Sequence, residues 1–123
     1  MKLEDLEIYQ LAREVGKDAW KIYSGLSWQL RKVIGDQFIS AIDSVGANIA
    51  EGRGRFHFLD KNKFNYNARG SLFEAIYWLS LLSEREIISK DSHSAIRDKL
   101  DLLHFKLNNY INLTKEQVGK GKK

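Results

Sequence analysis

The sequence predicts an all-α chain, an antiparallel up-down-up-down four-helix bundle, and three observations carry that expectation. Apolar residues recur three and four apart along four separate stretches. No stretch alternates apolar and polar residues over strand length, and no hairpin dipeptide separates apolar runs. The 123 residues include no proline, so nothing forces a kink, and the short connections favour antiparallel neighbours.

The first stretch runs from about Asp5 to Tyr23, with Ile8, Ala12, Val15, Ala19 and Ile22 as its stripe and Tyr9, Leu11, Trp20 and Tyr23 widening it. Asp5 is the expected N-cap, its carboxylate accepting from the open amides of the first turn. "SGLS" breaks the pattern. The second stretch starts near Ser27 or Leu30 and ends at Gly52. Ile34, Phe38, Ile42, Val45 and Ile49 form its stripe, beside a low-volume face of Ala41, Ser44, Ala47 and Asn48. The third, from Phe58–Asp60 to about Glu86, keeps helical spacing through Phe64, Ala68, Leu72, Ala75, Leu79 and Leu82. The fourth, from Asp91 or Ser92 to Gln117, repeats Ile96, Leu100, Leu103, Leu107, Tyr110 and Thr114. Residues 1–118 form one bundle domain, and residues 119–123, "GKGKK", form a flexible basic tail with nothing apolar to anchor it.

Composition narrows the function classes. Apolar residues at 43% and charged residues at 29% are globular proportions and argue against disorder. With no cysteine, disulfides, thiolate metal sites and cysteine nucleophiles are excluded, which fits a reducing cytoplasm. The opening "MKLEDLEIYQ" lacks the apolar core of a signal peptide. The longest apolar run, Leu72 to Leu82, is interrupted by Glu74 and Ser80 and is too polar for a membrane. A cytoplasmic protein without a membrane partner is expected. The net charge of +4 is concentrated locally. Arg53, Arg55, Lys61, Lys63 and Arg69 face Asp60 alone between Gly52 and Arg69, and four lysines face Glu116 alone from Lys115 onward. The remainder is net acidic. Local positive charge attracts polyanions, nucleic acid above all.

No constellation for catalysis or metal binding emerges. Asp101-x-x-His104 echoes one half of a di-iron motif but has no second copy, and His57, His93 and His104 show no ligand pairing. There is no nucleophile elbow, and "GRGR" lacks the spacing and the Gly-Lys-Ser/Thr of a phosphate-binding loop. The expectation is a non-enzyme with no cofactor and no metal.

Residues 44–55, "SVGANIAEGRGR", concentrate the informative chemistry. Asn48 is expected to face the bundle and hydrogen-bond across to another helix or a backbone carbonyl, fixing register, because a slipped packing would leave it unpaired. Gly52 or Gly54 is expected to supply a positive φ at the helix C-terminus. Glu51 lies beside the negative end of a helix dipole, so Arg53, Arg55 and Arg69 are candidates to neutralise it and Glu74. The alternative is an outward basic edge, in which Arg53, Arg55, Lys61, Lys63 and Arg69 meet phosphate oxygens. The two readings can share residues. The third helix adds a further signal. Leu72, Phe73, Ala75, Ile76, Tyr77, Trp78, Leu79, Leu81 and Leu82 cover nearly its whole circumference, more than one bundle buries. Phe73, Tyr77, Trp78 and Leu81, with Leu3 and Leu6 at the N-terminus, are the expected subunit contacts of a homo-oligomer, and Trp20, Tyr23 and Trp28 offer a second spare apolar surface.

The run "SVGANIAEGRGR", followed by "ARGSLFEAIYWL" from Ala68, resembles the bacterial four-helix-bundle family of 23S rRNA intervening-sequence proteins. "LEDLEIYQLA" and "GDQFISAIDS" fit its pattern too, so the resemblance spans nearly the whole chain. The matching positions are Asn48, Ile49, Ala50, Glu51, Gly52, Arg55, Gly70, Ser71, Leu72 and Glu74. Gly46 departs from it, standing where many relatives carry proline. The resemblance implies a ring-like homopentamer. It also implies similarity to the accessory protein of diversity-generating retroelements, which partners a reverse transcriptase and binds nucleic acid. The leading function is a module that binds RNA or an RNA–protein complex through its basic edge; the rival is a scaffold that recruits a protein partner without touching RNA. A third, weaker option is an enzyme whose site forms between subunits.

Overall fold

The computed structural model describes residues 2–121, and among these no strand occurs. Helix α1 is Glu7–Gly25. Helix α2 is one continuous rod built from Trp28–Leu30, a π-helical stretch Arg31–Gly35, and Asp36–Arg53. Helix α3 is Phe58–Glu84 and α4 is Lys90–Gly121. Each helix packs on the next and α4 returns to α1, so the four make the expected antiparallel ring around one core.

The stripes read from spacing line that core. Ile34, Phe38, Ile42, Val45 and Ile49 of α2 are buried, as are Ala68, Leu72, Ala75, Leu79 and Leu82 of α3. On α4 the last turns differ from expectation. Ile111 is buried and Tyr110 only half-buried, with Thr114 beyond it turned inward and donating to the Tyr110 carbonyl at 2.9 Å. Adjacent residues lie about 100° apart on a helix, so one stripe can drift from the first to the second. Helix α4 runs into the stretch expected as a tail, as far as Gly121. Lys122 and Lys123 lie outside the described residues.

The helix ends are closed by other groups than the sequence suggested. Asp5 does not cap α1. It closes a short 3-10 turn, Leu3–Asp5, by accepting from the Lys2 amide at 3.3 Å, and α1 begins only after Leu6. Ser27 caps α2 by accepting from the Leu30 amide at 3.2 Å. Arg31, at the start of the π-helical stretch, donates to the carbonyls of Tyr23 and Ser24 at 3.1 and 2.9 Å, placing a cation on the negative end of α1. Neither Gly52 nor Gly54 takes a positive φ. Gly54 sits at φ −79° and its amide reaches the carbonyls of Ala50 and Glu51 at 3.2 Å. Among the described residues the left-handed one is Glu86, φ 58°, where α3 ends and the Ile87 amide bonds back to the Leu82 carbonyl at 2.9 Å.

Helices α1 and α4 are joined by ion pairs. Lys99 Nζ lies 2.6 Å from Asp18 and 2.9 Å from Glu14, bonds that raise its pKa, and Lys106 lies 2.8 Å from Glu7.

Register between α3 and α4 is held by an asparagine, but not Asn48. Asn48 is half-buried, and its amide donates at 2.8 Å to Ser44 one turn back on its own helix. The cross-helix bond belongs to Asn62, buried at the base of α3, whose amide donates to the Ile111 carbonyl at 3.1 Å. Its own oxygen accepts from buried Asn65 at 3.0 Å. Asn62→Leu removes the acceptor of the Asn65 amide and is expected to cost about 1–3 kcal/mol in urea unfolding. Asn48→Leu is expected to cost well below that. Equal effects at the two positions would refute the assignment.

Candidate nucleic-acid interface

The α2–α3 turn stands at the end of the bundle, and the backbone there is unusually close. A Cβ built on Gly52 would lie 3.0 Å from the Lys61 carbonyl oxygen, 3.1 Å from Phe64 Cβ and 3.4 Å from Asn65 Oδ1. Gly52 is thus required by approach rather than by backbone conformation. It lets α2 end against the first turns of α3 and so sets where the basic residues emerge.

Those residues divide by role. Lys61 is half-buried and structural, its ammonium donating to the Arg53 carbonyl at 3.2 Å and thereby closing the end of α2. Burial, and then the nearby Arg53 charge, lower its pKa. Arg55 pairs with Glu51 at 3.3 Å, both side chains about half exposed, so this contact is worth little to stability. It does supply the cation that Glu51 needs beside the α2 terminus. Arg69 does not meet Glu74. It donates to Asn108 of α4 at 2.9 Å, and Glu74 instead accepts from the Trp78 indole at 3.1 Å. Arg53 is half-buried and Lys63 exposed.

Aromatic rings missed from sequence complete the site. Arg55 lies 4.6 Å and Lys63 5.7 Å from the Phe64 ring centre. Arg69 lies 5.0 Å and Lys115 of α4 5.7 Å from that of Tyr66. A band of cations therefore wraps the first turns of α3 from the end of α2 to α4, seated on ring faces. Phe56, at the turn, is 88% exposed, and Phe58 and Leu59 beside it are exposed too. The signal was available in "RFHF", where aromatic residues alternate with basic ones, and in Lys115, counted only as bulk charge.

The expected subunit contacts are scattered. Phe73 and Tyr77 are exposed on the outer face of α3, Phe73 lying edge-on to His104 of α4 at 4.8 Å. Trp78 and Leu81 pack partly on their own core. Leu3 is half-buried and Leu6 packs on the core near the start of α1, on the side that faces α4. Gly70 is exposed with open space around it, Ser71 is half-buried and Glu74 exposed. On the opposite face, an open groove of ≈ 810 Å³ runs between α1 and α2. Ala12, Gly16, Gly46, Ala47 and Ala50 line it with Tyr9 and Trp20, between charged Arg13, Glu14, Lys17, Asp18, Lys21, Asp43 and Lys99, and burial beside it raises the Asp43 pKa while Arg13 partly offsets the rise. Among the described residues, no cluster of three His, Asp or Glu could hold a metal, and no helix is long and apolar enough to cross a membrane.

Fold and site together define a class, the small antiparallel helical bundle with one basic, aromatic-rich end. The chain belongs to the 23S rRNA-intervening sequence protein family, whose model matches residues 4–109. Its fold is similar to the crystal structure of a protein of unknown function from the S23 ribosomal protein family of Bacteroides thetaiotaomicron. The two share 22% identity with a TM-score of 0.76, over 85% of this chain and 97% of that one. Among curated proteins, none matches the sequence.

Proposed function

We propose that this chain is a non-enzymatic, homo-oligomeric module that binds RNA through the basic end of its bundle. The observation that carries the reading is the convergence of Arg55, Lys63, Arg69 and Lys115 on the Phe64 and Tyr66 rings in the first turns of α3. Phosphate contacts of this kind supply affinity without reading sequence. Exposed Phe73 and Tyr77 on one face and the small-residue groove on the opposite face favour assembly through unlike surfaces, as a closed ring requires. The family resemblance implies five copies. A ring would repeat the basic end around one axis and strengthen polyanion binding by avidity.

The test is RNA binding as a function of salt. Arg55→Ala, Lys63→Ala and Lys115→Ala are each expected to weaken binding to any RNA sequence alike. Each should also flatten the slope of log K against log salt by about 0.7 for a single strand. Lys61→Ala is a poorer probe, because it also opens the end of α2. Binding that ignores these changes, or ignores salt, would overturn the reading. It would favour the scaffold, a reading to which Arg69 bonded to Asn108 and Lys61 bonded to the Arg53 carbonyl already lend weight.

A further inference from the structure

Charge alone does not account for the rings at this end. Phe56 is 88% exposed at the turn, and His57 meets its ring edge-on, standing perpendicular to it at 5.0 Å. Tyr66, part-exposed, carries Arg69 at 5.0 Å, and the Arg69 guanidinium is held by Asn108 at 2.9 Å. An exposed ring and a fixed guanidinium both offer flat faces to a nucleobase. A duplex keeps its bases stacked inside and presents mainly phosphates and groove edges to a convex helix, so these faces would be idle against it. An unpaired strand could engage rings and cations together.

We propose that the basic end selects unpaired nucleotides, with Phe56 and the Arg69 guanidinium seated on Tyr66 as stacking platforms and Arg55, Lys63 and Lys115 as the phosphate partners between them. This deepens the RNA-binding reading and rests on it. Anionic membrane is the other surface that rings and cations can suit. Exposed Phe56, Phe58 and Leu59 do gather at the turn, but Lys63, Tyr66 and Arg69 carry the alternation on along the side of α3, about three helical turns in all, whereas a membrane needs its apolar groups at one depth. That alternation matches a strand laid along the helix.

The experiment is fluorescence anisotropy of the full chain at fixed salt against three probes of equal phosphate number: a single-stranded uridine oligonucleotide, an RNA duplex, and an abasic strand. The single strand is expected to bind about a hundredfold tighter than the duplex or the abasic strand, about tenfold for each platform. Phe56→Ala and Tyr66→Leu should each remove about tenfold from the single strand, and Phe56→Ala should leave abasic binding unchanged. Phe56 is nearly fully exposed, so Phe56→Ala should leave the melting temperature unchanged, which separates lost stacking from lost folding. Equal affinity for duplex and single strand, with both ring variants silent and Arg55→Ala and Lys63→Ala still weakening all probes, would overturn this inference and leave RNA binding standing. No binding to any RNA would overturn both, and so would binding confined to anionic phosphatidylserine vesicles.

Discussion

Gly52→Leu is expected to destabilise the protein by roughly 3 kcal/mol or more, read as a lower midpoint in chemical unfolding. The cost arises where backbone meets backbone. An added Cβ at Gly52 would be 3.0 Å from the Lys61 carbonyl, an atom that cannot rotate away, and 3.1 Å from Phe64 Cβ. Relief requires α2 and α3 to part, and that would disturb the Lys61 bond to Arg53 and the Asn62–Asn65 pair nearby. Gly52→Ala sets two effects against each other. Alanine gains about 1 kcal/mol of helix propensity, and overpacking costs about 1–3 kcal/mol. The fixed carbonyl decides the sign, so a net loss is expected. Gly70 supplies the control within the same protein. It lies inside α3, exposed, with nothing within 4 Å of an added Cβ, so Gly70→Ala should stabilise by up to about 1 kcal/mol. Two alanines at helical glycines should thus act with opposite signs. The same sign at both positions would refute the close-approach argument.

The contrast between these glycines illustrates what a sequence of this kind makes legible. Helix number, order and most of the core follow from spacing, because one face of each helix must be apolar wherever its neighbours lie. The stripes through Ile34 to Ile49 and Ala68 to Leu82 depend on nothing else. The phase of one helix against another is different. Whether Tyr110 or Ile111 faces inward, and whether Asn48 or Asn62 bonds across, depends on how far two helices slide and rotate together. Local pattern carries no record of that. Glycine was legible as a special position at 52, but its physical role was not, since a positive φ and a close approach leave the same letter. Glu86 shows the converse, a left-handed residue without the usual glycine. At the site, the charges of Arg55 and Lys63 could be counted directly. The rings that organise them could not, because Phe64 and Tyr66 matter only once α2 ends beside one and α4 passes the other.

Breaking either of two opposite faces is expected to abolish assembly altogether, and mixing the two broken forms should restore one contact. The proposed ring joins the α3 face carrying Phe73 and Tyr77 to the α1–α2 groove of the next copy. Each chain then uses two unlike surfaces. Phe73→Glu with Tyr77→Glu places charge where apolar groups would be buried, a cost of several kcal/mol at every contact of the ring. Both residues are more than half exposed in the single chain, so its folding should be spared. Ala47→Arg fills the groove from an exposed position in the same way. In light scattering at micromolar concentration, the parent should have five times the chain mass of 14.2 kDa and each variant one times that mass. Mixed in equal amounts, the first variant still owns a groove and the second still owns a ridge. They should therefore pair once and stop, because the remaining two surfaces are both spoiled. An isologous contact would behave otherwise: only the variant altered on the shared patch would dissociate, and mixing would create no new species. A parent that scatters as a monomer would remove the ring and, with it, the avidity invoked for RNA.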